Sequence, residues 1–250
     1  MFYYKMGKSI RSKKLIILWK EAIMRVQIDT IALGMGNIYV IRDQGAIIVD
    51  GGDTKKTKEF VKGIERISLK PEEIKLIVIT HGHFDHIGTA ADIKKLTEAK
   101  LAMHEKEKDC LEKGLMPLPP GFNLWGTVMV GAMKVFSIPF RTILPTNIDI
   151  VLDDNEFSLA DYGIPGKVIH TPGHSTGSVS VLLESGDAFV GDLAANEFPF
   201  SFGPGFAAFG DSVEAIIDSW SLLLEKGAKM IYPGHGDPFP VSVIEEALAK

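Results

Sequence analysis

The sequence predicts an α/β fold in which two β-sheets pack face to face and helices cover their outer sides, and three observations carry that prediction. Short β-branched runs punctuated by glycine recur in both halves of the chain. In each half they alternate with longer segments whose apolar residues fall at helical spacing. One run, 74–80, is almost continuously apolar, as a strand covered on both faces must be. With 250 residues the chain can bury a full core in one domain.

The elements follow in order. Residues 26–33, 37–42 and 46–50 read as a meander of strands separated by Gly34, Gly36 and Gly45. Asp50-Gly51-Gly52-Asp53-Thr54 breaks the third strand. Asp53 or Thr54 is placed to cap a helix over 55–67, whose Phe60, Val61, Ile64 and Ile67 share one face. Pro71 opens a short turn before strand 74–80, and a helix over about 87–99 leads to strand 100–104. In the second half, strands are expected at 148–152, 156–159, 167–170, 178–184 and 188–190. An Asp211-Ser212 cap opens a helix to Lys226, followed by strand 229–232 and a last helix over 241–249. Residues 26–250 thus form one domain behind a basic extension, 1–25.

Charge and composition exclude several classes of protein. The first 25 residues hold seven Lys/Arg and one acid, a net of +6, whereas the remaining 225 carry 20 basic and 31 acidic residues, a net of −11. So acidic a body is a poor partner for phosphate backbones, and no nucleic acid is expected. The single cysteine, Cys110, leaves no internal disulfide, which fits a cytoplasmic protein. No run reaches the roughly 20 apolar residues of a membrane span. The apolar run in the leader, 15–19, is shorter than the roughly 7–15 residues of a signal-peptide core.

The chemistry sits where strands end. After strand 74–80 comes His81-Gly82-His83-Phe84-Asp85-His86, four metal-competent side chains within six residues. Imidazole and carboxylate together suit zinc, with iron or manganese also compatible, while Ca²⁺ and Mg²⁺ prefer oxygen shells. From an extended segment His81 and His83 can point one way, while Asp85 and His86 turn past them into a helix start. Three later loops each add a donor beside glycine: His174 in Thr171-Pro172-Gly173-His174-Ser175, Asp192 in Val190-Gly191-Asp192, and His235 in Pro233-Gly234-His235-Gly236-Asp237. Glycine lets backbones crowd around a small site. His104 and His170 read as supporting residues, and Cys110 as a buried, idle thiol.

The ordered set HGHFDH, TPGHS, GDL and PGHGDP resembles the metallo-β-lactamase superfamily over most of residues 26–250. That resemblance implies a four-layer αββα sandwich with two divalent metal ions at one edge. It implies that His81, His83 and His174 hold the first metal, that Asp85, His86 and His235 hold the second, and that Asp192 bridges both. Asp50 resembles the buried aspartate that supports the metal loop. The implied activity is hydrolysis by a hydroxide shared between the metals, with Asp85 orienting it and shuttling its proton.

For the substrate, the segment at about 105–147, with Met116, Phe122, Leu124, Trp125, Met129 and Phe140, reads as an apolar lid. A second apolar loop follows Asp192 at 198–209. Such a lid fits a small-molecule lactone, ester or thioester with an apolar portion, and equally ordinary core or a homodimer contact. Lactonases of the superfamily carry comparable lids, with a tyrosine shortly after the bridging aspartate where this chain reads Leu193-Ala194-Ala195-Asn196. β-Lactam hydrolysis, phosphodiester cleavage and mononuclear-iron persulfide dioxygenation are the alternatives. Glyoxalase II enzymes add a C-terminal glutathione-binding domain, and here 15 residues follow His235. Deleting residues 1–23 is expected to leave the melting temperature and the activity unchanged; loss of either would show the extension to be part of the domain.

Overall fold

Alternation of side chains along the strands sets the architecture. The computed structural model describes residues 26–136 and 141–249. Its first sheet runs β1 (Gln27–Leu33), β2 (Gly36–Arg42), β3 (Ala46–Val49), β4 (Ile74–Val78), β5 (Lys100–His104) and β6 (Ile150–Leu152) in spatial order. The second runs β12 (Phe239–Pro240), β11 (Met230–Pro233), β10 (Asp187–Gly191), β9 (Val179–Leu183), β8 (Gly166–His170) and β7 (Phe157–Ser158). In the first sheet β1, β2 and β3 pair antiparallel and β3 to β6 parallel. The second is antiparallel throughout except between β10 and β11.

Successive side chains of one strand enter different layers, as a period of two requires. Ile47 and Val49 join Leu76, Val78, Val168, Val181 and Phe189 in the core between the sheets. Their neighbour Ile48 joins Ile77 and Ile79 under Phe60, Ile64, Ile87 and Ile93, which belong to the helical layer α1 (Thr57–Arg66), α2 (Phe84–Ile87) and α3 (Ala90–Thr97). Short α4 (Lys108–Glu112) adds Leu111 to that layer. On the far side Ile169, Ala188 and Ile231 meet Ile216, Trp220, Leu223 and Ile244 of α6 (Val213–Glu225) and α7 (Ser242–Leu248). The result is the expected helix–sheet–sheet–helix order. Among the described residues no helix is long and apolar enough to cross a membrane.

The structure corrects several boundaries. The helix expected over 87–99 starts earlier and divides into α2 and α3, because the Gly88 amide donates to the Gly52 carbonyl at 2.8 Å and the Thr89 hydroxyl to that of Asp53 at 2.5 Å. Neither Asp53 nor Thr54 caps α1, which begins at Thr57 without a side-chain cap. Asp53 instead accepts from Arg141 Nε at 3.0 Å and Nη2 at 2.9 Å. The Ser212 cap is present, its hydroxyl accepting the Ala215 amide at 3.1 Å. Within the segment at 105–147 lie α4 and a further helix, α5 (Leu124–Phe136), neither of them foreseen. Strand β12 is two residues long and half proline, too little to be read from a pattern. The extension 1–25 and Phe140 lie outside the described residues.

Tyr39, on β2, fastens the sheets together beneath the site. Its buried hydroxyl donates to the Pro233 carbonyl, and its ring meets Phe189 at 5.1 Å and Tyr232 at 5.6 Å. Pro233 ends β11 just before the loop that carries His235. Tyr39→Phe is therefore expected to leave a buried carbonyl unpaired and to lower stability by about 1–3 kcal/mol, measured by denaturant unfolding; an unchanged midpoint would show that water replaces the bond.

Candidate metal centre

All seven predicted side chains converge at one edge of the sandwich, five from loops that follow strands and Asp85 and His86 from α2. They form two adjoining groups, His81, His83, His174 and Asp192 in one and Asp85, His86 and His235 in the other, all buried. Donor atoms within each group lie within 4.8 Å of one another. Asp192 stands between the groups: Oδ1 is 3.1 Å from His86 Nε2, and Oδ2 is 3.3 Å from His235 Nε2 and 3.6 Å from His174 Nε2.

The outward nitrogens of these rings fix their tautomers. His174 Nδ1 faces the Phe209 carbonyl at 3.2 Å, and His235 Nδ1 faces that of Met35 at 2.8 Å, so both carry their proton there. His86 Nδ1 donates to Asp50 Oδ2 at 2.8 Å. The Thr80 hydroxyl donates to Asp50 at 2.9 Å, which leaves its oxygen to accept from His81 Nδ1 at 3.1 Å. The inward nitrogens of His81 and His174 are then bare lone pairs, while those of His86 and His235 face the carboxylates of Asp192 and Asp85. Such outward hydrogen bonds are what hold metal-binding imidazoles in place.

These lone pairs meet one another. His83 Nδ1 is 3.0 Å from His81 Nε2 and 2.9 Å from His174 Nε2, and one proton can satisfy only one of those contacts. His86 Nε2, Asp192 Oδ1 and His235 Nε2 are buried without a hydrogen bond among the described residues, because their close approaches are out of line. Each such group costs about 1–3 kcal/mol if nothing meets it. A divalent cation in each group would satisfy them together, and tetrahedral zinc sets ligand nitrogens roughly 3.3 Å apart at its usual bond length of about 2.0–2.1 Å. The donor set fits the metals that the fold implies.

The electrostatics agree. Burial, followed by the neighbouring imidazoles, holds His81 well below its ordinary pKa, and burial likewise lowers His83 and takes His174 down to about 3. These rings are neutral, as ligands must be. Burial opposes charge on His86 and His235 as well, but the Asp192 carboxylate overrides it in both, raising His86 well above its ordinary value and His235 to about 10. In the metal-free chain, protons thus stand where a cation would.

Backbone shape makes room for this crowding. A Cβ on Gly234 would strike the His86 ring and come within 2.6 Å of Asp192 Oδ1. Asp50 adopts a left-handed φ of 67° at the end of β3, a strained position fixed by its bonds to Thr80 and His86. Sequence reasoning missed Thr80, although it immediately precedes the histidine run. It had no means of finding the Met35 and Phe209 carbonyls, since backbone groups leave no residue signature. His104 and His170 lie apart from the seven, stacked on each other at 4.4 Å, and Cys110 is a buried thiol whose pKa burial raises to about 12.

Fold and site together fit a metallo-hydrolase, with two adjoining groups of side chains that could each hold a metal ion. The profile of the metallo-beta-lactamase superfamily matches residues 31–235, and the chain belongs to that superfamily. A probable metallo-hydrolase of Methanocaldococcus jannaschii is 27% identical over 205 residues, covering 80% of this chain and 87% of the relative. The hydroxyacylglutathione hydrolase GloC of Haemophilus influenzae is 29% identical over 180 residues, covering 68% of this chain and 72% of the relative. Among solved structures, the B3 metallo-β-lactamase BLEG-1 superposes with a TM-score of 0.66 at 23% identity, covering 90% of this chain and all of the other, a likeness of fold. The chain is thus a hydrolase of a family that works with divalent metal ions.

Asp50→Ala removes the acceptor that holds the His86 ring and leaves Thr80 without its partner. Metal affinity is expected to fall by about 10–100-fold in a chelator competition. Unchanged affinity would show that the rings hold their places without it.

Proposed function

We propose that the chain hydrolyses a small lactone, ester or thioester with an apolar portion, at two divalent cations held by His81, His83 and His174 on one side and Asp85, His86 and His235 on the other, with Asp192 shared. Five imidazoles and two carboxylates favour zinc, and iron or manganese suit the same donors. When bound, such a pair lowers the pKa of water and polarises a carbonyl.

The chain's own residues supply the rest. Asp85 Oδ2 lies 3.4 Å from His235 Nε2, and the neighbouring imidazoles hold its carboxyl below the ordinary range against burial. An ionised Asp85 can accept a proton from water and pass it to the leaving group. Phe200 stacks on the His235 ring at 3.6 Å and 9°, and the Phe209 ring lies 5.5 Å from that of His174, so the imidazoles are walled by apolar groups.

The apolar surface beside the centre carries the substrate class. The α5 residues Met129 and Val130 pack on Ala195, Phe200, Ala207 and Phe209, the loop that touches both His174 and His235. On the same elements Trp125, Phe198 and Phe202 form a ring cluster with centroids 5.5–5.8 Å apart, and Phe198 is 62% and Phe202 78% exposed. Exposed aromatic area of this kind suits an acyl or aromatic group. The name of the Haemophilus influenzae relative, a thioester-type hydrolase, points the same way. The same face also suits a second copy of the chain, and a dimer in sedimentation would assign it to that role. The lone buried thiol fits a cytoplasmic setting.

Removing metal with a chelator is expected to abolish hydrolysis of a lactone or thioester panel, and restoring zinc, iron or manganese to recover it. Asp192→Ala and His174→Ala are expected to lower metal content and turnover by at least about 100-fold while the chain stays folded. Full activity in either variant would sink the two-metal reading, and phosphate or nucleotide release from a nucleic acid would move the substrate class.

A further inference from the structure

We propose that Glu107 is a positioning residue that sets the distance between the loop carrying His81 and His83 and the loop carrying His174, an inference that rests on the metal reading above. Glu107 follows β5 and is 6% exposed. Its Oε2 accepts the Gly82 amide at 3.0 Å and its Oε1 the Gly177 amide at 3.0 Å. Gly82 separates His81 from His83 in the loop after β4, whereas Gly177 belongs to the turn between β8 and β9 that contains His174. One buried carboxylate therefore ties together two loops that belong to opposite sheets.

Burying a carboxylate is costly unless its oxygens are met, and here each oxygen takes the amide of a different loop. The approach needs bare backbone on both sides. A Cβ on Gly82 would strike Cys110 Sγ and come within 2.7 Å of Glu107 Oε2, and a Cβ on Gly177 would come within 2.5 Å of Glu107 Cγ. The glycine inside the histidine run is thus required by Glu107 and Cys110 behind it.

The stretch after β5 is fastened to the His174 turn at a second point. The His104 ring stacks on His170 at 18°, Asp154 Oδ1 lies 3.2 Å from His104 and 3.1 Å from His170, and His170 Nε2 donates to the Thr176 carbonyl at 3.0 Å. This trio is a brace and not a third metal site. His104 Nδ1 accepts the Lys106 amide at 3.2 Å, so its Nε2 carries the proton and donates to Asp154. A metal-binding imidazole needs the reverse arrangement. With 104–107 held against 170–177, Glu107 fixes the gap across which His83 meets His174.

The test uses the full chain and cobalt(II) alone as probe. In a stepwise titration Glu107→Gln keeps one acceptor and turns an N–H₂ toward the other amide. It is expected to weaken one of two cobalt sites by about 10–100-fold and shift that site's visible absorption, leaving the other within about twofold. Glu107→Ala is expected to move the same site further, and Glu105→Gln, an exposed neighbour, to move neither. In the metal-free protein the amides of Gly82 and Gly177 are expected to exchange faster in Glu107→Gln, with the melting temperature nearly kept. Wild-type affinities and wild-type exchange at both glycines would overturn the proposal. Equal weakening of both sites with a broad loss of exchange protection would also overturn it, because that is the signature of a merely structural residue. Wild-type chain that binds no cobalt would overturn the metal reading itself, and the role of Glu107 with it, a result distinct from a wild type that binds while Glu107→Gln is unaffected.

Discussion

Five imidazoles and two carboxylates buried within reach of one another cannot all be satisfied by protons, and the rest of the molecule is arranged to hold them there. The outward nitrogens of His81, His86, His174 and His235 are committed to Thr80, Asp50, Phe209 and Met35, so the inward nitrogens have no freedom to turn away. Within the cluster, the atoms left without a hydrogen bond among the described residues are His86 Nε2, His235 Nε2 and Asp192 Oδ1. A site of this kind stores the demand for a cation in its framework, and cation binding adds to stability for the same reason.

That demand explains why the sandwich is closed at this edge by loops and not by side-chain packing. β4 delivers His81 and His83, β8 and β9 frame His174, β10 leads directly into Asp192, and β11 leads to His235. Two sheets must therefore stay in register for one cluster of atoms to form. The bond from Tyr39 to Pro233 and the aromatic contacts beneath it provide a rigid floor between the sheets. The apolar wall of Phe200 and Phe209 excludes water from the imidazoles, which strengthens every electrostatic interaction inside. A preorganised centre on a rigid edge, with an apolar surface beside it, needs only loop variation to change its substrate.

Much of this was legible in the sequence. The periods of two and 3.6 gave both sheets and the helices that bury a clear face, and the histidine run with its three glycine-flanked donors named the seven side chains that the fold brings together. What failed was local chemistry with a distant partner. Asp53 has the composition of a cap, but Arg141 claims its carboxylate, and the helix expected over 87–99 broke where Gly88 and Thr89 bond to the Gly52–Asp53 loop. α5 was read only as an apolar lid because its apolar residues run nearly all round it and show no clear stripe.

By itself, the sequence determined which side chains could bind metal and which strand ends would carry them, because donor identity and strand period are local properties. The tertiary structure alone decided how those donors meet. It placed Asp192 between the two groups, set each histidine's tautomer through partners up to 200 residues away in His235 and Met35, and brought Glu107 behind Gly82. Such contacts are made by backbone carbonyls and amides, which every residue possesses, so no pattern of side chains announces them.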